Sequence, residues 1–269
     1  MSAPAKIGFS KKIGLTVTQL VIFSDLDGTL LDHETYDFSP ALPALTVLKA
    51  KSIPLVLASS KTSSELSAIR AAMGMEQWPA IVENGAGELP PHAESPTNKD
   101  TYERLRRALD RLPSALQGLF RGFGDMSDRD VADITGLPLN TAALAKQRAF
   151  TEPGLFNGSA EQKSRFVAEL EQSGILAQQG GRFLTLSYGG TKADKIKSIA
   201  KRLQAETTIA LGDAPNDVEM LLSANVSVII RNDNAPEVRD IPGAIYSEQP
   251  GPTGWNTTVL ALLKEYCSL

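Results

Sequence analysis

Short apolar runs of strand length, each stopping at polar residues and followed by a helix-length segment, occupy both ends of this chain. Leu20-Val21-Ile22-Phe23 stops at Ser24-Asp25, Ile53 to Ala58 at Ser59-Ser60, and Ala80-Ile81-Val82 at Glu83-Asn84-Gly85. Helices are expected between them, from about Pro40 to Lys51 and from about Ser63 to Met73. The alternation returns with a helix from about Lys192 to Gln204, a strand at Thr207 to Leu211, a helix from about Asn216 and a strand at Val226 to Ile230. Runs that are apolar throughout mark strands buried on both faces, so the pattern reads as an α/β fold with a parallel sheet between helices. Such sheets bind ligands at the carboxyl ends of their strands, and this brings Asp25, Ser59, Asn84 and Asp213 to one edge.

The two halves are separated by residues 86–186, a stretch too long for a loop. It opens with Pro90-Pro91 and holds helix-like pieces at Tyr102 to Arg111, Asp128 to Thr135, Thr141 to Arg148 and Ala160 to Gln172. Strand-like pieces lie near Ala149 to Glu152 and Arg182 to Leu186, and Glu169 to Gly181 reads as a helix end followed by a turn. The expected organisation is a tail at 1–19, core at 20–85, an inserted α+β cap domain at 86–186 and core again at 187–269. With 269 residues and 42% hydrophobic content the chain can fill such cores.

Composition excludes several classes. Cys267 is the only cysteine, which leaves no disulfide framework and no cysteine zinc cluster. Lys and Arg number 27 against 31 Asp and Glu, a net charge of −4, without the basic surplus that nucleic acid requires. Residues 1–19 lack the apolar run of a signal peptide, and no run approaches membrane-spanning length. A soluble, cytoplasmic protein without a membrane or nucleic-acid partner is expected. His33 and His92 receive no chemical role.

In Asp25-Leu26-Asp27-Gly28-Thr29-Leu30, two carboxylates leave a buried strand two residues apart. Gly212-Asp213-Ala214-Pro215-Asn216-Asp217 brings two more to a neighbouring strand end. Asp-Gly is an ordinary turn pair and Asp217 suits the first turn of a helix, so each piece has a plain structural reading. Together, four acids at adjacent strand ends repel by roughly 4 kcal/mol per pair at about 4 Å in a partly buried site, and a divalent cation such as Mg²⁺ relieves that repulsion.

The two motifs resemble the signature pair of the haloacid dehalogenase (HAD) superfamily of phosphohydrolases. That resemblance implies a HAD-type Rossmann-like core with a cap of type C2, and an aspartyl-phosphate mechanism with Asp25 as nucleophile and Asp27 as acid and base. It further implies Mg²⁺ held by Asp25, the Asp27 backbone carbonyl and Asp213, with Asp217 acting through water. A Ser or Thr after the second strand and a Lys before a later helix are expected to hold phosphoryl oxygens, and Ser59 and Lys192 occupy those places. Ser59 also suits a helix cap, and Lys192 an exposed first turn, although the helix dipole disfavours a cation there. Ala193 stands where the family has a Gly.

Further motifs are similar to the mannosyl-3-phosphoglycerate phosphatase family: Ser59-Ser60-Lys61-Thr62, Glu83-Asn84-Gly85-Ala86, Gly124-Asp125-Met126-Ser127, Ile134-Thr135-Gly136-Leu137, Arg148-Ala149-Phe150-Thr151-Glu152-Pro153, Gly180-Gly181-Arg182-Phe183 and Gly251-Pro252-Thr253-Gly254-Trp255. The implied substrate is a sugar joined to 3-phosphoglycerate, hydrolysed to mannosylglycerate, a compatible solute, and phosphate. Lys61, Arg148, Glu152, Gly181 and Arg182 are the substrate-binding candidates. Arginine suits the glycerate carboxylate and Glu152 the sugar hydroxyls. Surface arginines are commonplace, and Glu152 would pair with Arg148 were that stretch helical. Glucosyl-3-phosphoglycerate, a phosphomannomutase-like phosphotransfer and a non-catalytic phosphosugar-binding role are the alternatives.

Overall fold

The structure, a computed structural model, describes residues 20–95, 99–236, 238 and 241–267. The expected tail at 1–19 lies outside the described residues. In chain order the first elements are β1 (Leu20–Ser24), α1 (Leu42–Ala50), β2 (Leu55–Leu57), α2 (Ser63–Ala72), β3 (Ala80–Val82) and β4 (Gly87–Leu89). A middle group follows: α3 (Asp100–Asp110), β5 (Phe120–Gly122), α4 (Asp128–Thr135), α5 (Leu139–Ala145), β6 (Thr151–Phe156), α6 (Ala160–Gln172), β7 (Leu176–Gly180) and β8 (Phe183–Ser187). The chain closes with α7 (Lys192–Arg202), β9 (Thr207–Gly212), α8 (Val218–Leu222), β10 (Val226–Arg231), β11 (Ile245–Pro250) and α9 (Gly251–Tyr266). Among the described residues, no helix is long and apolar enough to cross a membrane.

The main sheet has the order β11-β10-β9-β1-β2 and is parallel throughout. Side chains alternate across it. Leu20 and Ile22 of β1 pack with Leu45 and Leu48 of α1 and with Trp255 and Val259 of α9. Val21 and Phe23 pack on the other face with Ile196 and Ile199 of α7 and Met220 and Leu221 of α8. This is the α/β fold expected from the apolar runs. Two details differ. The run at Ala80 to Val82 pairs antiparallel with β4 and meets the main sheet only through a bridge from Ile81 to Ala58, so core pairing continues past residue 86 to Leu89. The fifth strand of the main sheet is instead β11, a mostly exposed edge strand of sequence Ile-Tyr-Ser-Glu-Gln-Pro without the apolar run of a buried one.

A second, antiparallel sheet of order β5-β6-β8-β7 is built from the middle group. One of its faces carries Leu184 and Leu186 against Leu105 of α3 and Phe166 and Leu170 of α6. Strand β7 replaces the turn expected before Gly181; its sequence Leu-Ala-Gln-Gln-Gly is polar and largely exposed, as a sheet edge tolerates. Strand β6 begins two residues later than expected and runs on to Phe156.

Where the chain crosses between the two sheets, the buried Glu83 carboxylate accepts hydrogen bonds from the backbone N–H groups of Ala149, Phe150 and Thr151, at 2.9, 3.2 and 2.7 Å, and from the Thr151 hydroxyl at 2.7 Å. The Glu83 N–H donates in turn to the Lys61 carbonyl at 3.0 Å. Gly85 packs so closely on the start of α7 that a Cβ there would lie 2.1 Å from the Thr191 carbonyl carbon. Removing the carboxylate strands several buried donors, so Glu83→Ala is expected to lower stability by about 3 kcal/mol in chemical unfolding, and Glu83→Gln, which keeps one accepting oxygen, by clearly less.

Candidate active site

Three carboxylates and one ammonium group meet at the carboxyl ends of β1 and β9. Asp25 follows β1 directly, Asp213 follows β9, and Asp217 sits in the short turn of 3-10 helix ahead of α8. Their oxygens lie within 4.8 Å of one another and all three side chains are buried. Lys192, the first residue of α7, places its Nζ 2.6 Å from Asp25 Oδ1 and 2.8 Å from Asp217 Oδ1. Thr191 fixes this helix start: its hydroxyl accepts from the Asp194 N–H at 3.2 Å while the Asp194 carboxylate accepts from the Thr191 N–H at 3.3 Å. With Ala193 in place of the family's Gly, the helix still begins at the lysine.

Burial pushes the Asp25 carboxyl well above the usual carboxylate range, and the neighbouring Asp217 and Asp213 add to this against the pull of Lys192. Burial raises Asp213 as well. Burial alone would lower the Lys192 ammonium, but Asp25 and Asp217 outweigh it and hold the lysine protonated. One lysine stands against three acids, and the rise at Asp25 and Asp213 reflects the cost of ionising them together. Buried oxygen donors with excess negative charge fit a divalent cation, with Asp25, Asp213 and Asp217 as its holders.

Two further residues, which sequence reasoning missed, orient Asp213. The buried Thr29 hydroxyl donates to its Oδ1 and the Asn232 side-chain amide to its Oδ2 at 2.7 Å. Thr29 stands inside the first motif, and Asn232 directly follows β10, at a strand end like the other site residues. Gly28 makes room for both: its φ is +83°, and a Cβ there would come within 2.3 Å of Asn232 Nδ2 and 2.8 Å of Asp213 Oδ2. Trp255, wholly buried, donates at 2.9 Å to the Ser24 hydroxyl, which donates to the Asp25 carbonyl at 2.7 Å.

The Asp27 side chain stands apart from the acid cluster. Both its oxygens lie 2.8 Å from Lys61 Nζ, which also sits 5.0 Å from the centre of the Tyr36 ring. The buried Ser59 hydroxyl accepts from the Lys61 N–H at 3.3 Å. Beside this group, a cavity of about 720 Å³ runs from Lys192, Asn84, Ser60 and Asn216 to the second sheet, where Thr151, Gln178, Thr185 and Ser187 line it.

A model of the haloacid dehalogenase-like hydrolase family matches residues 22–101 and 146–240. A glucosyl-3-phosphoglycerate/mannosyl-3-phosphoglycerate phosphatase from Persephonella marina is 35% identical, the match covering 91% of this chain and 98% of that protein. The chain belongs to the mannosyl-3-phosphoglycerate phosphatase family of the haloacid dehalogenase-like hydrolases. Solved structures share the fold. A phosphatase of this superfamily from Bacteroides thetaiotaomicron has a TM-score of 0.61 at 20% identity, covering 98% of this chain and all of that one, 100%. A protein from Geobacillus kaustophilus reaches 0.64 at 18% identity, over 90% of this chain and 98% of the other.

Of the expected residues in this haloacid dehalogenase-like hydrolase, Asp25, Asp213, Asp217 and Lys192 meet in one cluster, with Asp27, Lys61 and Ser59 grouped nearby. The candidates from the middle segment do not join them. Arg148 donates through Nη1 to the Ser60 carbonyl at 3.0 Å, and so holds a cavity residue without lining the cavity itself. Arg182 donates to the Ile134 carbonyl and lies against the Phe183 ring, while Gly181 forms the exposed turn between β7 and β8. Glu152 is fully buried, accepting from the Tyr102 hydroxyl and from the Gly124 N–H at 2.9 Å, with Arg106 3.5 Å away. It pairs with neither Arg148 nor the cavity because it lies on a strand, and successive residues of a strand face opposite ways: Thr151 takes the cavity side and Glu152 the interior.

Lys192 is the counter-charge of the cluster, so its loss exposes the repulsion. In chelator, Lys192→Met is expected to lose about 3–5 kcal/mol of stability. Addition of a divalent cation should raise its melting temperature by more than it raises that of the unaltered protein.

Proposed function

We propose that this phosphoric monoester hydrolase releases phosphate from a hexosyl-3-phosphoglycerate, mannosyl-3-phosphoglycerate foremost, with Mg²⁺ at Asp25, Asp213 and Asp217. The observation that carries the reading is the buried carboxylate cluster around Lys192, which opens beside a cavity spacious enough for a sugar joined to a phosphorylated three-carbon acid. Support for the substrate comes from the Persephonella marina relative, named for both the glucosyl and the mannosyl compound. Residues 90–186 would then serve as the cap that closes over the sugar.

Lys192 holds Asp25 Oδ1, while Oδ2 receives no hydrogen bond from a described residue and is the attacking atom. As Oδ2 bonds to phosphorus, the bond from phosphorus to the glycerate oxygen breaks, and Asp27 gives that oxygen a proton. Water then attacks the phosphoryl group on Asp25 and yields a proton to Asp27, so that phosphate leaves and both carboxyl groups are restored. The Ser59 hydroxyl accepts from Lys61 N–H and keeps its own proton free for a phosphoryl oxygen. Lys61 sets the resting position from which Asp27 turns toward the leaving oxygen. When bound, Mg²⁺ would supply positive charge to the phosphoryl oxygens.

Two measurements test this. Asp25→Asn should lower phosphate release from mannosyl-3-phosphoglycerate about a thousandfold or more while the protein stays folded; near-normal turnover would exclude the mechanism. Asp27→Asn should lower kcat at every Mg²⁺ concentration, whereas Asp213→Asn should raise the Mg²⁺ concentration needed for half-maximal rate. Rescue of Asp27→Asn alone by excess metal would reverse the assignments.

A further inference from the structure

The cavity has two walls of different chemistry. On the core side stand Lys192, Ser60, Asn84 and Asn216, together with Glu219 and with Glu83, whose carboxylate is already taken up by the backbone of residues 149–151. On the other side the antiparallel sheet presents one face, set by its register: Thr151 pairs with Ser187, and Thr185 sits between Pro153 and Gln178. The intervening row, Glu152, Leu186 and Ala177, points the opposite way into the interior. None of the four side chains on this face is ionisable, nor is Gln179, which also borders the cavity.

Two of the four are already engaged. The Thr151 hydroxyl donates to Glu83, and Ser187 Oγ accepts from the Gly189 N–H at 3.2 Å, keeping its own donor. The side chains of Gln178 and Thr185 make no hydrogen bond among the described residues. Neighbouring Gln179 is different: its amide donates to the carbonyls of Gly181 and Phe183 and accepts from Lys163 Nζ.

A carboxylate or phosphate against such a wall would lose water and meet no cation. Sugar hydroxyls both donate and accept, as do an amide and two hydroxyls. Resting on the phosphatase reading above, we infer that Gln178, Thr185 and Ser187 form the subsite that reads the hexose ring, and that the phosphate and carboxylate of the glycerate lie toward the core wall. Discrimination between phosphorylated glycerates with and without a sugar therefore resides in β7 and β8.

The test compares kcat/KM for mannosyl-3-phosphoglycerate and for 3-phosphoglycerate in the unaltered protein and in Gln178→Ala, Thr185→Val and Thr185→Ser, with Mg²⁺ present. Loss of one neutral hydrogen bond should lower the value for the glycosylated substrate about three- to tenfold in Gln178→Ala and Thr185→Val. The value for 3-phosphoglycerate should stay within about twofold, which also reports that each variant is folded, and Thr185→Ser should keep both rates. Equal losses on the two substrates, or none on the glycosylated one, overturn the assignment. Unaltered protein that prefers 3-phosphoglycerate would overturn the substrate reading itself, and that result needs no variant.

Discussion

A single ammonium group, 2.6 Å from Asp25 and 2.8 Å from Asp217, lets three carboxylates occupy one buried site at the end of a parallel sheet. Unpaired, each pair of acids would repel by roughly 4 kcal/mol at about 4 Å. The lysine's position is itself unfavourable, since the first residue of a helix faces the positive end of the helix dipole. Its two carboxylate partners offset that cost, so the lysine and the acids are stable in their places only together. The excess negative charge that remains is what suits the site to a divalent cation.

What keeps that lysine in place is backbone packing at the joint between the two sheets. Lys192 follows the return connection directly, and Gly85, on the outgoing connection, approaches Thr191 and Lys192 so closely that no side chain fits between them. Glu83, two residues earlier, ties the outgoing connection to the first residues of β6, and its own N–H ties it to Lys61. Lys61 in turn pairs with Asp27. The turn after β2 and the joint thus share one hydrogen-bonded assembly that reaches the second sheet at Thr151, and the helix start packs against it at Gly85.

The core was legible because buried parallel strands are continuous apolar runs, whose ends bring Asp25, Ser59 and Asp213 to one edge, whereas Lys192, at a helix start, was singled out by the family resemblance. Strands β7 and β11 were not legible, since edge strands need only one neighbour and tolerate polar sequences such as Leu-Ala-Gln-Gln-Gly. Thr29 and Asn232 escaped for another reason. Each acts through Asp213 across the fold, at a separation of 184 residues for Thr29 and 19 for Asn232, and no local pattern records such a partner. Arg148, Arg182 and Glu152 carried plausible charges, but whether a side chain reaches a cavity depends on strand register and turn geometry rather than on residue type.

Register in β6 has a consequence of parity. Thr151 and Glu152 are adjacent letters with opposite duties: the odd one faces the ligand space and secures Glu83, and the even one carries a buried charge satisfied by Tyr102, Gly124 and Arg106. Substitutions leave the parity of the strands intact, so the cavity wall at 185 and 187 can vary without turning the interior at 152, 184 and 186 outward, while Thr151 stays tied to Glu83 by its hydroxyl. A single inserted or deleted residue between Ala149 and Glu152 would invert it, turning the carboxylate toward the ligand space and a hydroxyl into the interior. In this strand a substitution alters one side chain on one face, whereas a change of count by one exchanges inside for outside.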